Sequence, residues 1–333
     1  MNQDYNLSKI PLKVGLVGTG YAAARRAEAF TDFPHTQLIA VSGNNAEKTH
    51  QFAETHQVNT VASWEDLIKN SDLDLICVCN VNYLHGTIVR EALLADKHVI
   101  VEYPLTINAH EAPELINLAR AKGKLLHIEH IELLGGVHQA IKKHLPEIGI
   151  PFLARYNTML AKSKVAPHWT YNYHDYGFPF IAALSRINRF TDLFGEVNTV
   201  SCTAHFWDAP ESGYFSSCLC QAQLIFKNQM AVSLTYGKGD RFFKSDRTLE
   251  IYGESGVLLF EGEKGTLIRG EEITPIEVGS RRGLFAQDTQ IVLAYLVEDK
   301  PLYVQNQDSI YALKVANTAL ESYKTGQTKI IDH

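Results

Sequence analysis

The chain has 333 residues, of which 45% are hydrophobic, so it can bury a large core and is long enough for two domains. Its 31 basic and 37 acidic residues give a formal net charge of −6, which offers no positive field for phosphate groups. Nucleic acid and anionic membrane surfaces are therefore excluded as expected partners. A small-molecule ligand is the better expectation.

The first nine residues lack the basic and apolar regions of a signal peptide, and no stretch approaches the ~20 apolar residues of a membrane span. The five cysteines are odd in number and lie in apolar, strand-like runs, which predicts reduced core thiols. Two Cys-x-Cys pairs lack the Cys-x-x-Cys spacing of zinc sites, so no metal is expected. These features predict a cytoplasmic protein.

The N-terminal part alternates short β-rich runs with longer helical segments. The predicted strands are 13–17, 37–42, 73–79, 98–101 and 124–130. Strand and helix alternating this often predicts a doubly wound parallel sheet of the Rossmann type with right-handed crossovers. We assign residues 1–130 to this dinucleotide-binding domain.

From about residue 131 the pattern changes to alternating strands, which predict a large, mostly antiparallel open sheet. The predicted strands are 152–158, 200–207, 218–226, 230–236, 247–252 and 256–261. Helical segments are expected around 178–194, 288–296 and 308–323. We assign residues 131–333 to an α+β substrate-binding domain, so the fold class combines α/β with α+β.

A Gly-x-Gly-x-x-Ala motif at Gly18, Gly20 and Ala23 follows the first strand directly and precedes a helix. In that context the first glycine allows a tight turn, the second lets the backbone approach a pyrophosphate, and the small third residue lets helix pack on strand. The pyrophosphate would lie at the helix N-terminus, beside Tyr21 and Ala22. A plain glycine turn is the alternative.

The second predicted strand ends at Ser42, and Gly43 stands where an NAD enzyme normally carries an acidic residue for the ribose 2′-hydroxyl. Without that carboxylate, a 2′-phosphate meets no repulsion and can accept hydrogen bonds from the side chains that follow. We therefore expect NADPH, with NADH as a weaker cofactor, unless the loop is simply a polar turn. The candidate donors are Ser42, Asn44 and Asn45, and the candidate positive charges are Arg25, Arg26 and Lys48.

Two further segments, 75–85 (LICVCNVNYLH) and 91–105 (EALLADKHVIVEYPL), together with the glycine loop resemble the glucose-fructose oxidoreductase family. Segment 249–258 (LEIYGESGVL) resembles that family's second domain. The resemblance implies a nicotinamide cofactor. The residues at which it implies further cofactor contacts are Cys79, Asn80, Val81, Asn82, His85 and Glu102. Capping of its own helix is the alternative for His85.

Two departures from the family pattern disfavour oxidation of sugar alcohols. The family's lysine before proline is Tyr103 here, and its His-x-x-Asp pair aligns with Ser185 and Asn188.

Within that family, segments 127–136 (HIEHIELLGG), 185–195 (SRINRFTDLFG) and 279–285 (GSRRGLF) resemble the bacterial biliverdin reductases. The resemblance implies reduction of the C10 methine bridge of biliverdin IXα to bilirubin by NADPH. Such a reaction combines hydride transfer to C10 with protonation of a pyrrole nitrogen.

Arg186 and Arg189 lie three residues apart in a predicted helix and share a face. The residues alone favour an exposed ladder of these arginines with Asp192. The resemblance instead implies that Arg186 is catalytic and that Arg189 binds the substrate. Tyr103 is the rival proton donor because its reference pKa is near 10, whereas an arginine pKa above about 12 makes a poor general acid. Packing against the nicotinamide is the alternative for Tyr103.

His127, Glu129, His130 and Glu132 invite a metal hypothesis. On a strand, however, the first two would face opposite to the last two, so the four would not converge on one ion. One pair is expected to border the ligand, and we name His130 and Glu102 as substrate contacts. Arg281, in a glycine-flanked loop, is a candidate for binding a propionate, with a solvated pair of Arg281 and Arg282 as the alternative.

Two other functions remain open at this stage. One is a family oxidoreductase acting on a sugar or polyol, and the other is a non-catalytic sensor that binds NADPH or a bilin. The sequence predicts no oligomeric state.

Overall fold

A computed structural model describes residues 11–331, which form two compact units. The first unit contains residues 11–131 together with Gly283–Ile310, and the second contains Glu132–Arg282 together with residues 311–331. The prediction that no signal peptide is present concerns residues 1–9, which lie outside the described range.

The first unit is built on a six-stranded parallel sheet. Its strands pair in the order β3-β2-β1-β4-β5-β6. In chain order its elements up to residue 131 are β1 (Leu12–Val17), α1 (Tyr21–Asp32), β2 (Thr36–Ser42), α2 (Ala46–His56), β3 (Asn59–Thr60), α3 (Trp64–Lys69), β4 (Leu75–Val78), α4 (His85–Leu94), β5 (His98–Val101), α5 (Ala112–Ala121) and β6 (Leu126–Ile128). The central strands are buried along their whole length, as expected when helices cover both faces.

The second unit is built on a nine-stranded sheet in the order β14-β13-β12-β11-β7-β10-β9-β8-β15. Its described pairs are antiparallel except β10 with β7. The remaining elements are α6 (Gly136–His144), β7 (Pro151–Ala161), α7 (Tyr173–Tyr176), α8 (Pro179–Ala182), α9 (Ser185–Phe194), β8 (Val197–Asp208), β9 (Phe215–Phe226), β10 (Ala231–Gly239), β11 (Asp246–Gly253), β12 (Gly256–Glu261), β13 (Lys264–Arg269), β14 (Glu272–Ile276), α10 (Leu284–Glu298), α11 (Asn306–Thr325) and β15 (Lys329–Ile330). The predicted fold class is confirmed for both sheets.

Helix α10 belongs to the first unit although it follows the Glu132–Arg282 segment of the second unit in sequence. Its residues Leu293 and Leu296 lie in the same buried core as Ala27 and Phe30 of α1. The predicted division at residue 130 therefore differs from the observed units in the segment Gly283–Ile310.

Two local expectations were wrong, and two strands were missed. The helical stretch 178–194 is two helices, because the backbone at Ala183 leaves the helical region (φ −111°, ψ 39°). Strands β13 and β14 were not predicted; β14 contains Pro275, which the edge of a sheet tolerates. Strand 124–130 is shorter, ending at Ile128. Among the described residues, no helix is long and apolar enough to cross a bilayer.

Candidate functional site

The turn between β1 and α1 requires glycine at its first motif position. Gly18 has φ +116°, and a Cβ there would lie 2.1 Å from the carbonyl oxygen of Cys79. Its N–H donates to the carbonyl of Ser42 at 2.8 Å. The loops after β1, β2 and β4 therefore approach each other at the carboxyl edge of the sheet, where doubly wound folds bind ligands.

Helix α1 begins at this turn with its N-terminus open. Gly20 is the N-cap residue, and no atom lies within 4 Å of the position its Cβ would take. Among residues 11–331 no side chain caps this end. Tyr21 is 75% exposed, and Ala22 is half-buried beside it. The free N–H groups and the open space fit a dinucleotide pyrophosphate, as the sequence predicted.

The loop after β2 has no room for an acidic side chain at Gly43. A Cβ there would lie 2.5 Å from Thr49 Oγ1, and Thr49 is itself buried and donates to the carbonyl of Asn45 at 2.7 Å. Ser42 is buried and Asn44 is exposed. The Asn45 side chain accepts a hydrogen bond from Lys48 N at 2.9 Å and caps α2, so only its amide nitrogen is left to donate to a cofactor.

Arg26 does not offer its charge to a cofactor, which corrects the sequence expectation. It is fully buried; Nε donates to Glu102 Oε1 at 3.0 Å and Nη1 bonds to Asp288. Arg25 is ion-paired with Glu28 on the exposed side of α1. Of the three candidate cations, Lys48 lies closest in sequence to the Ser42–Asn45 loop, at the exposed first turn of α2.

The loop after β4 forms another part of the carboxyl edge. Cys79 and Asn82 are buried, and Val81 is half-buried. The side-chain oxygen of Asn80 is buried and has no hydrogen-bond partner within the described range, which is a position that a bound group can satisfy. Together with the open α1 terminus, this orphaned oxygen fits a nicotinamide dinucleotide.

His85 lies behind that loop rather than on its surface. Its Nδ1 is 2.8 Å from the carbonyl of Pro104 and its Nε2 is 3.2 Å from that of Asn80. Burial lowers the pKa of this imidazole, so the ring is neutral and has one N–H, which we assign to the shorter contact. The geometry gives His85 a supporting role for two loops, and direct contact with the cofactor stays a prediction.

Asp288 is the centre of a buried polar network that the sequence analysis missed. Besides Arg26, it accepts hydrogen bonds from His127 Nε2 at 2.8 Å and from the Tyr303 hydroxyl at 2.6 Å. Burial alone would raise the pKa of Asp288, but the charges of Arg26 and His127 outweigh it and hold this pKa below its usual range. A single carboxylate at the start of the predicted helix 288–296 gave no signal of this role.

Glu102 and Glu129 form an acidic pair in the same network. Burial raises the pKa of Glu102, although Arg26 opposes that effect. Burial, together with the charges of Glu102 and Asp288, raises the pKa of Glu129 well above its usual value. The pKa of each carboxyl is therefore raised, because both lie out of water and close to other carboxylates.

Tyr103 follows Glu102 directly, and its ring stacks on that of His130 with centroids 5.8 Å apart and planes 2° apart. His130 Nε2 is 2.7 Å from Ser309 Oγ, and its backbone N–H donates to the Tyr303 hydroxyl at 3.0 Å. Burial lowers the pKa of His130 to about 3, so the ring is neutral. These contacts fix the plane of the Tyr103 ring.

The predicted alternation of residues 127–132 was wrong. The strand ends at Ile128, so His127, Glu129 and His130 are all buried in the first unit instead of alternating between faces. Glu132 follows in a short 3-10 helix and belongs to the second unit. No group of three or more His, Cys, Asp or Glu side chains in residues 11–331 is arranged to hold a metal ion.

In the second unit, Glu132 joins the two arginines predicted to bind substrate. Its Oε2 lies 3.3 Å from Arg189 Nη2, and its Oε1 lies 2.7 Å from Arg281 Nη2. Burial would raise the pKa of Glu132, but the nearby arginines lower it overall, so it is charged. Beside them is a cavity of about 20 Å³, room for one water molecule.

The loop that carries Arg281 is fixed by a close backbone approach. A Cβ at Gly136, the first residue of α6, would lie 2.0 Å from the carbonyl oxygen of Gly279. No side chain fits between these segments, which explains glycine at residue 136. Arg281 is 35% exposed, whereas Arg189 is 3% exposed. Arg281 is therefore the more accessible of the two to a ligand.

Arg186 and Arg189 do not form the exposed ladder that the residues alone favoured. Asp192 binds His138 at 2.8 Å and Lys142 at 3.3 Å instead. The Arg186 Nη1 donates to Ser185 Oγ at 3.0 Å, and its guanidinium carbon lies 5.2 Å from the centre of the Tyr236 ring. Ser185 and Asn188, at the family's acid–base positions, are both buried.

The chain belongs to the GFO/IDH/MocA oxidoreductase family. Residues 12–130 match the model described as the NAD-binding Rossmann fold of that family, and residues 144–330 match its C-terminal alpha/beta domain. Proteins of this class are nicotinamide-dependent oxidoreductases, and the family prediction is confirmed.

Among solved structures, the chain is 49% identical to a biliverdin reductase from Synechocystis sp. PCC 6803, crystallised with biliverdin and NADP⁺. That match has a TM-score of 0.93 and covers 94% of this chain and 99% of the other. The chain is also 28% identical over 306 residues to human biliverdin reductase A, covering 91% of this chain and 93% of that one. A Klebsiella pneumoniae NAD-binding oxidoreductase, 16% identical with a TM-score of 0.80, covers 97% of this chain and 99% of its own and shares the fold.

Proposed function

We propose that this protein is an NADPH-dependent biliverdin reductase that reduces the C10 methine bridge of biliverdin IXα to give bilirubin IXα. The observation that carries the proposal is the 49% identity, over nearly the whole of both chains, to the Synechocystis enzyme crystallised with biliverdin and NADP⁺. When bound, NADPH supplies the hydride. The protein supplies binding, orientation and the proton.

In the first unit, the residues of the carboxyl edge bind the cofactor. The open N-terminus of α1 accepts the pyrophosphate, and the loop after β2 excludes a carboxylate from the ribose side. An enzyme without that carboxylate tolerates a 2′-phosphate, so NADPH is preferred over NADH. The residues we propose for these contacts are Gly18, Gly20, Tyr21, Ala22, Ser42, Gly43, Asn44, Asn45, Cys79, Asn80, Val81, Asn82, His85 and Glu102.

In the second unit, a cluster of arginines carries a net positive charge, which complements the negative charge of the two propionates of biliverdin. Arg186, Arg189 and Arg281 are accompanied by one carboxylate, Glu132, so the cluster keeps a net positive charge. Arginine binds carboxylates through paired N–H donors. Arg281, the more exposed, binds a propionate, and Arg189 supports it through Glu132.

Protonation of the pyrrole nitrogen involves Arg186 and Tyr103. An arginine pKa above about 12 makes direct proton donation slow, so Arg186 acts by holding a water or by stabilising the charge that develops on the bilin. The Tyr103 hydroxyl is the alternative donor, on a ring held in place by His130. In the first unit, His130 and Glu102 border the substrate.

Oxidation of a sugar or polyol is disfavoured by the residues at the family's catalytic positions. Tyr103 replaces the usual lysine, and the buried Ser185 and Asn188 replace the acid–base pair. A cytoplasmic location is part of the proposal, because all five cysteines are free and buried.

A spectrophotometric assay with purified protein, biliverdin IXα and NADPH tests the proposal. We expect loss of the green substrate and appearance of the yellow product, faster with NADPH than with NADH. Tight NADPH binding without turnover would contradict the proposal and favour a sensor. Turnover of a polyol instead of biliverdin would favour the older family chemistry.

A further inference from the structure

Beneath Arg186 lies a buried aromatic residue that the sequence analysis did not single out. The Tyr236 ring, 4% exposed on β10, faces the Arg186 guanidinium at 5.2 Å from ring centre to Cζ. A cation over an aromatic face is attracted by the ring quadrupole, and more strongly when the site is shielded from water.

The hydroxyl end of Tyr236 is also in contact with another side chain. Its hydroxyl lies 2.9 Å from that of Tyr176, and the Lys238 Nζ lies 3.4 Å from the centre of the Tyr176 ring. Burial lowers the pKa of Lys238 to about 7. Lys238 also donates to the carbonyl of Thr170 and lies 4.4 Å from the Tyr171 ring. The contacts therefore run from the Arg186 guanidinium to the Tyr236 ring, through the paired hydroxyls of Tyr236 and Tyr176, and from the Tyr176 ring to the Lys238 amine.

The strand that carries this array is internal to the sheet. Tyr236 pairs with Thr158 of β7 on one side and with Cys220 of β9 on the other. Tyr236 and Lys238 are two residues apart and so share one face of β10. Ladder bonds on both sides leave the strand little freedom, so the Tyr236 ring is a rigid support.

We propose that Tyr236, held by its hydroxyl contact to Tyr176, is a positioning residue that orients the Arg186 guanidinium for reduction of the bilin. The inference rests on the proposed function. An arginine side chain has many rotamers, and a preorganised charge stabilises a transition state better than one that must first be ordered. The Tyr236 ring face and the Ser185 hydroxyl both contact the Arg186 guanidinium, and each contact limits the rotamers open to it.

The test compares Tyr236→Leu, which removes the ring face, with Tyr236→Phe, which keeps it. We expect Tyr236→Leu to lower kcat for biliverdin about tenfold, the scale of one shielded cation–π contact, with the KM for NADPH unchanged. Tyr236→Phe keeps the ring face and loses only the hydroxyl contact to Tyr176, so its kcat is expected to fall by no more than about threefold. Phe226→Leu is the matched control, because Phe226 is equally buried at the far end of β9; it is expected to lower Tm without lowering kcat.

A double-mutant cycle with Arg186→Ala separates positioning from general stability. If Tyr236 acts through Arg186, adding Tyr236→Leu to Arg186→Ala lowers kcat no further. An equal tenfold loss in both backgrounds, or full kcat in Tyr236→Leu, would overturn the inference. If Tyr236→Leu does not fold, Tyr176→Phe takes its place in the cycle. It is expected to lower kcat about threefold when Arg186 is present and to have no effect on kcat in the Arg186→Ala background. Absence of turnover by the unaltered protein would contradict the proposed function instead.

Discussion

Arg186 and Tyr103 are the two side chains whose removal distinguishes the proposed modes of protonation. We predict that Arg186→Ala lowers kcat about 100-fold with little change in the KM for biliverdin, as for loss of one preorganised donor in a shielded site. Tyr103→Phe should lower kcat about tenfold, because the ring that stacks on His130 remains and only the hydroxyl is lost. Steady-state kinetics with saturating NADPH measures both.

The control for these variants is Arg269→Ala, at an exposed position at the end of β13. It should keep the kcat of the unaltered protein. Full kcat in both Arg186→Ala and Tyr103→Phe would show that the catalytic assignment is wrong.

Because the pKa of His130 is lower in the folded chain than in the unfolded chain, the free energy of unfolding falls as the pH falls. The ring titrates near 6.5 when unfolded and at about 3 when folded, so between those values the unfolded chain binds more protons. Its stabilising contribution is complete above about pH 6.5 and is lost as the pH falls towards 3, by up to about 5 kcal/mol. Urea unfolding of His130→Gln at several pH values should show a flatter dependence.

The matched control is His50→Gln on the exposed face of α2, which should keep the slope of the unaltered protein. An unchanged slope in His130→Gln would contradict the assignment of a buried, neutral His130.

At the scale of elements, the loop from β2 to α2 sets the cofactor preference through a steric constraint. Gly43→Asp places its Cβ against Thr49 Oγ1, so we predict that this variant loses NADPH activity and about 1–3 kcal/mol of stability. Adding Thr49→Ala and Thr19→Ser removes the two closest atoms, Thr49 Oγ1 at 2.5 Å and Thr19 Cγ2 at 2.9 Å, and should raise kcat/KM for NADH relative to NADPH. A Gly43→Asp variant that uses NADH well without these two further changes would contradict this account.

The approach of α6 to the loop at Gly279 predicts an asymmetric response to alanine. Gly136→Ala drives a Cβ to 2.0 Å from the Gly279 carbonyl, whereas a Cβ on Gly279 meets only Gly136 Cα at 3.4 Å. Gly136→Ala should therefore lower the free energy of unfolding by about 1–3 kcal/mol and raise the KM for biliverdin by displacing Arg281. Gly279→Ala is the control, and equal effects of the two changes would argue against the close approach.

The regular elements were predictable because their patterns are local. Strand β5 and strand β12 begin and end where the sequence placed them, and the glycine motif led directly to the open end of α1. Strand β14 escaped prediction because Pro275 argues against a strand unless its position at the edge is known. The break at Ala183 had no glycine or proline to mark it.

At the scale of the whole molecule, the sequence could not show which unit the segment Gly283–Ile310 would join. That choice decides the surroundings of Asp288, and Asp288 in turn decides that Arg26 is a buried partner of Glu102 and not a phosphate ligand. Such contacts join residues far apart in sequence, and helical periodicity carries no information about them. The arginines of the second unit were predicted through family resemblance, since their pattern alone favoured an exposed ladder.

The most direct test of the central claim follows the hydride itself. Biliverdin IXα would be reduced with NADPH deuterated at both C4 positions, and the bilirubin formed would be analysed by mass spectrometry and NMR. The account predicts one deuterium in each product molecule, located at C10. Product without deuterium, or with deuterium at another carbon, would contradict it.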